Sequence, residues 1–324
     1  MKRALLPALL AAVLVLCGLS LVAGKVWVPW SAWASGGVDP RWAIVAELRL
    51  PRTLLAVAVG AALGMSGAAL QGYTRNPLAD PGVLGVSACA ALGAVLTLYF
   101  GAAAAAPWST PAAAMLGALL GVAALLALAG AGSSLVAFVL AGVVLNTVAG
   151  AGVALALSLA PNPWAVNEIV NWLMGSLADR SSGDAVVAMP LVAAGCALLL
   201  ATGRALDALT LGETGARSLG VDLGRTRLAL AAGVGLATGA SVAVTGVIGF
   251  VGLIVPHLLR PFVGRRPGAL LPPSALAGAA LTLAADILVR VTPAAAEVKL
   301  GVAMAALGGP FFLALLLSQR RTLA

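Results

Sequence analysis

The sequence is poor in almost everything that enzymes and nucleic-acid-binding proteins rely on. Only 9% of its 324 residues are charged, against about a quarter in soluble domains. Its three lysines, at 2, 25 and 299, stand in no GxxxxGKS or GxxxxGKT context, so the chain carries no P-loop. Its single histidine, His257, has no cysteine or histidine companion and reads as structural; neither HExxH nor GxSxG occurs. No nucleophile–base or metal constellation is left from which to build an intramembrane enzyme. Cys17, Cys89 and Cys196 lie inside apolar runs with no metal or disulfide spacing, and read as small core residues.

What is present is hydrocarbon. Hydrophobic residues make up 61% of the chain and the mean hydropathy is +1.07. From Pro81 to Asn167 there is no Asp, Glu, Lys or Arg, room for three or four spans at about 20 residues each. Further apolar runs occupy Ala4–Gly24, Thr53–Gly72, Ala185–Gly203, Leu228–Val247, Gly249–Leu259, Leu270–Ala285 and Leu300–Leu317. The expectation is an all-α, polytopic membrane protein with about ten transmembrane helices, forming one permease-like domain over 1–324. The basic start followed by an apolar run lacks a clean small-x-small cleavage site, and is read as an uncleaved first helix.

The formal charge of +8 does not point to nucleic acid, because its distribution is topological. With both termini inside and ten spans, Arg75, Arg204, Arg217, Arg225, Arg227, Arg260, Arg265 and Arg266 join the terminal cations on the inner side. That is the cytoplasmic bias of positive charge. The first external segment breaks it, with Lys25, Arg41, Arg49 and Arg52, and so asks for an acidic partner outside.

Turns are marked at 107–111, 130–134, 161–163 and 265–273 by Pro and Gly. Two segments read as folded elements outside the membrane: Ser31–Pro51 and the long polar stretch Arg204–Arg227. A faint likeness of 52–64 to 225–237, in opposite orientations, suggests an inverted repeat, a common way to build transporters.

Three places carry candidate chemistry. Asp286 and Arg290 are four apart on one helix face and read as an ion pair. In 164–182, Asn167 and Asn171 lie one turn apart between Trp164 and Trp172, with Arg180 beyond. This segment suits either an interfacial helix or the lining of a pathway that meets an anionic substrate. The break YTRNPLADPGVLGV at 73–86 stops a glycine-rich span with two prolines. Non-helical backbone near membrane depth persists only when buried in protein or lining a cavity, so the break is read as a turn or an inner gate.

These residues carry a resemblance. RLPRTLL at 49–55 with the break at 73–86 resembles the signature of FecCD-type ABC importer permeases, which carry iron–siderophores, haem or vitamin B12 across the bacterial inner membrane. LTLGETGARSLGV (209–221), GVIGFVGLIVPHLLRPFVG (246–264) and LGGPFFLALLL (307–317) resemble the later blocks of that family, in the same order. The resemblance implies ten helices per subunit, a homodimer, two separate ATP-binding subunits that use the ATP, a periplasmic binding protein, and no cofactor bound by this chain. It places ATPase coupling on Glu213, Arg217 and Gly220, a cytoplasmic gate on Asn76 and Leu78, and binding-protein docking on Arg49, Arg52 and Arg290. A second gate of the vitamin B12 importer falls on Leu135 and Val136, after Ser133 and Ser134, and does not carry over. EVKLG at 297–301 also departs from the family's commoner ELPxG. The competing expectation is an ion-coupled secondary transporter, for which Asp286 is the sole acidic candidate.

Overall fold

The structure, a computed structural model, describes residues 2–34, 37–130, 135–264, 266–293 and 297–323. Ser133 and Ser134 therefore lie outside the described residues, as does Arg265. Helix α1 (Lys2–Val22) leads through the short α2 (Trp30–Ala34) into a π-helical turn at Ile44–Arg49, which runs without a break into α3 (Leu50–Thr74). After the break come α4 (Val86–Tyr99), the short α5 (Ala102–Ala105), α6 (Ser109–Ala129) and α7 (Leu135–Ser158). Then follow α8 (Pro163–Leu173), α9 (Ser182–Ala201), α10 (Gly203–Leu209) and α11 (Gly212–Ser218). Helices α12 (Leu223–Thr245), α13 (Val251–Val263), α14 (Pro267–Val291) and α15 (Leu300–Leu323) complete the chain.

Seven of these helices are long and apolar enough to cross a membrane, and α4, α13 and the Leu300–Leu315 part of α15 are shorter apolar ones. Together they make the ten expected. In hydrocarbon the backbone must satisfy itself, which a helix does within its own segment. The uncharged window after Pro81 resolves into three spans, α4, α6 and α7, separated where Gly101, Pro107 and Gly130 interrupt it.

Helices α3 and α12 are buried over most of their length, whereas little of α1 and α7 is buried. Small residues make the core possible. A Cβ on Gly60 would overlap the carbonyl of Gly278, and one on Gly64 would overlap that of Ser274, so α3 and α14 pack backbone to backbone. Buried hydroxyls on α12 return to their own helix: Ser241 Oγ donates to the Ala237 carbonyl at 2.7 Å, and Thr245 Oγ1 to that of Ser241 at 2.8 Å. Arg227, early in α12, donates to the Tyr73 hydroxyl, late in α3, at 3.0 Å, so these two helices run in opposite directions.

One boundary differs from expectation. The segment Ser31–Pro51 is not a separate element, since its second half belongs to the helix that spans as Ile44–Thr74. Pro51, which has no N–H to donate, sits directly after the π-helical turn Ile44–Arg49, whose wider ladder passes into α3 at this point.

Candidate functional site

At the end of the bundle where α3 starts and α14 finishes, four ionised side chains lock three helices together. Asp286, on α14 and fully buried, receives Arg52 Nε at 3.0 Å and Arg52 Nη2 at 2.8 Å. Its other oxygen lies 2.9 Å from Arg290 Nη2, one turn along α14. Arg52 also pairs with Glu297, just before α15. Arg290 reaches α1, donating to the Ser20 carbonyl at 2.9 Å and to the Ser20 hydroxyl, which itself lies 2.7 Å from Thr53 Oγ1. Arg49 donates to the carbonyls of Leu21, Val22 and Val26, closing the C-terminal end of α1.

These are the three arginines assigned to binding-protein docking, Arg49, Arg52 and Arg290. Their exposures are 6%, 9% and 6%, and their guanidinium groups are engaged within the chain. Arg41 is occupied too: its guanidinium, by hydrogen bonds and charge, holds the half-buried Asp39 carboxyl down at about 2. Most of the outer excess of positive charge is thus answered by Asp39, Asp286, Glu297 and helix carbonyls.

A cavity of about 500 Å3 opens beside this cluster. Lys25, Arg180, Lys299 and Asn171 line it together with Arg49, Arg52, Arg290 and Glu297. Arg180 Nε is buried without a hydrogen-bond partner among the described residues. Sequence reasoning placed Arg180 here but passed over Lys299, which occupies the position where EVKLG departs from the family pattern. Nearby, Asn162 caps α8 by accepting from Ala165 N at 2.9 Å. Asn171 Nδ2 donates to the Asn167 carbonyl at 2.9 Å; both amides are exposed, and Trp164 projects beside them.

The opposite end carries α10 and α11. Ala216 is fully buried and anchors α11, while Leu211 and Leu219 stand 68% and 65% exposed, with Arg217 and Gly220 beside them on the surface. Gly220 has φ +80°, and Val221 N donates back to the Ala216 carbonyl at 3.0 Å, the left-handed helix termination that glycine permits. Glu213 faces inward instead: its carboxylate accepts from the backbone N–H of Leu135, the first residue of α7, at 3.3 Å.

The break between α3 and α4 is built locally. Arg75 takes a left-handed φ of +51°, Asn76 Oδ1 accepts from Leu78 N at 3.0 Å, and Asp80 Oδ1 accepts from Gly82 N at 2.9 Å. A 3-10 turn, Pro81–Leu84, and Gly85 at φ +76° lead into α4. The break rests against α7. A small cavity of about 80 Å3 is shared by Asn76, Leu78, Asp80 and Val139, and a Cβ on Gly142 would meet Leu84 Cα at 2.8 Å. Asn76 is exposed and Leu78 half-buried.

A polytopic helical bundle with a short, polar pair of helices at one end and no P-loop has the architecture of a membrane transport subunit. The chain matches the model of the FecCD transport family over residues 11–318 and belongs to that family. It is 42% identical over 302 residues to the vitamin B12 import system permease protein BtuC of Vibrio cholerae, covering 92% of this chain and 88% of that one. It is 41% identical over 299 residues to the hemin transport system permease protein HmuU of Yersinia pestis, covering 89% and 87%. Among solved structures it is similar to an inward-facing ABC transporter of the metal-chelate type, with a TM-score of 0.85 at 30% identity, over 98% of this chain and 99% of that one. The chain is a multi-pass permease subunit of an ABC importer.

Proposed function

We propose that two copies of this chain, with two ATP-binding subunits and a periplasmic binding protein, import a bulky metal chelate: an iron–siderophore, haem or a corrinoid. Both termini and the α10–α11 pair face the cytoplasm of the bacterial cell in this reading, which agrees with the excess of arginine at that end. The observation that carries it is the α10–α11 surface. Two exposed leucines, Leu211 and Leu219, share this surface with Arg217 and Gly220 in a chain without a P-loop, a surface suited to a groove on an ATP-binding partner. The substrate class follows from the relatives, two of which are named for vitamin B12 and hemin.

Asn76 and Leu78 would narrow the inner end of a pathway on the dimer axis. Glu213 then serves coupling from within: it ties α11 to α7, and α7 braces the break. At the outer end, Arg180, Asn167 and Asn171 are proposed to line the pathway mouth. Arg49, Arg52 and Arg290 form the buried floor of the docking cavity for the binding protein. The test is uptake of cyanocobalamin, haem and a ferric siderophore into proteoliposomes, with and without the ATP-binding subunits. ATP-dependent uptake of one of them supports the proposal. Uptake driven by an ion gradient without those subunits would favour a secondary transporter.

A further inference from the structure

Two depressions meet at Arg266, at the end of the bundle that carries α10 and α11. The first is a cavity of about 780 Å3 between the last turns of α3 and α13. Gln71 faces it from α3 and Arg75 from the break just beyond, while His257 and Arg260, three apart in α13, share one helix face toward it. Thr210 and Arg266 complete its polar wall, and among the described residues no Asp or Glu lines it. Asp207, in α10, is occupied by the Gly268 N–H at 2.8 Å.

The cavity is preorganised. Gln71, 2% exposed, donates to the Gly252 carbonyl at 3.1 Å and accepts from Arg260 Nη2 at 2.7 Å, which holds that guanidinium in place. Buried polar atoms are ordinarily hydrogen-bonded, yet His257 Nδ1 is buried without a partner among the described residues. The Arg75 and Arg266 side chains make no hydrogen bond or ion pair with any described residue.

The second depression is a groove of about 490 Å3 with apolar walls, from Leu5 and Leu6 of α1 to Phe262 and Val263 of α13, with Ala269 and Pro273. Arg266 lines both depressions.

We propose that this pair of depressions is a binding site for an anionic phospholipid of the cytoplasmic leaflet, its phosphate in the arginine-lined cavity and an acyl chain in the groove beside α1. Guanidinium forks match phosphate oxygens in pairs, and an ordered imidazole and hydroxyl add donors. Free phosphate shares the headgroup chemistry but has nothing to place in the groove. A zwitterionic lipid would bring a cation into a cavity with no carboxylate to receive it. The site rests on the cytoplasmic orientation proposed above. Its failure would leave the importer reading untouched, because ATP-driven uptake is measured separately.

The experiment is native mass spectrometry of the purified, delipidated permease with phosphatidylglycerol, phosphatidylcholine or inorganic phosphate. Phosphatidylglycerol should be retained and phosphatidylcholine should not. Arg266→Gln, an exposed residue with no internal partner, should weaken phosphatidylglycerol binding about fivefold, the loss expected for one surface cation. Arg75→Gln should do the same by an independent route. Leu6→Trp, which fills the groove, should weaken lipid binding and leave inorganic phosphate unaffected. Equal binding of the two lipids, or unchanged binding in both arginine variants, would overturn the proposal. Binding of phosphate with lipid indifferent to Leu6→Trp would overturn it in favour of a free-anion site.

Discussion

Arg52 grips Asp286 across the seam between α3 and α14, with two guanidinium nitrogens within 3.0 Å of one carboxylate oxygen. The Asp286 side chain is fully buried, and Arg290 holds its other oxygen. Removing one partner of a buried pair leaves an uncompensated charge, at a cost of about 3–5 kcal/mol. Asp286→Ala, which strands two arginines, should therefore lower the thermal midpoint of the detergent-solubilised subunit sharply. Replacing both Arg52 and Asp286 by apolar residues of similar size should recover much of the loss. A single Asp286→Ala variant as stable as the parent protein would show that the cluster does not hold the helices.

The Glu213–Leu135 contact predicts a different phenotype. A side chain that satisfies the first N–H of a helix is worth about 1 kcal/mol, too little to unfold a ten-helix bundle. Glu213→Ala should leave the midpoint nearly unchanged, speed hydrogen exchange at the start of α7, and reduce transport per ATP hydrolysed. Glu213→Gln keeps an acceptor oxygen and should retain most of the coupling. Unaltered exchange at 135–138 in Glu213→Ala would detach α11 from α7.

Gly220 offers a separation of shape from backbone. A Cβ there meets no atom within 4 Å, but φ is +80°. The cost of Gly220→Ala is thus conformational, about 1–2 kcal/mol, and confined to the end of α11. Gly220→Asn, which tolerates left-handed backbone, should keep more ATP-driven uptake than Gly220→Val. Equal uptake by the two would mean that the turn geometry is irrelevant to coupling.

For the gate, cysteines at positions 76 and 78 in a variant lacking Cys17, Cys89 and Cys196 should cross-link between the two copies of the dimer, to a degree that changes with nucleotide. Positions that never cross-link in any nucleotide state would remove Asn76 and Leu78 from the pathway.

The spans were legible because hydropathy and helix breakers act over about 20 residues, and the break at 73–86 showed itself by its prolines alone. The Asp286–Arg290 pair was legible for the same reason, being one helical turn. What stayed hidden was long-range: Arg52 lies 234 positions from Asp286, and Glu213 78 positions from Leu135, and no local pattern links either pair. The surplus of outer arginine was a real signal, but its first answer lay inside the chain. Electrostatics asks only for a nearby negative group and does not specify whose it is.

That intrachain engagement shapes the docking prediction. Reversing Arg49 or Arg52 to Glu would break buried contacts, so a loss of binding-protein association in those variants would confound folding with recognition. Arg180 and Lys299 are better probes, since they line the outer cavity without sharing the Asp286 carboxylate. Exposed ion pairs contribute about 0–1 kcal/mol each but steer association and fix its register. Arg180→Glu with Lys299→Glu should slow association of the binding protein at low salt and flatten its salt dependence, with the thermal midpoint preserved. Basal ATPase activity of the assembled complex should hardly change, because α10 and α11 lie at the opposite end. The measurement is surface plasmon resonance at low and high salt. An unchanged association rate at low salt in a folded double variant would remove the outer cavity from the docking surface.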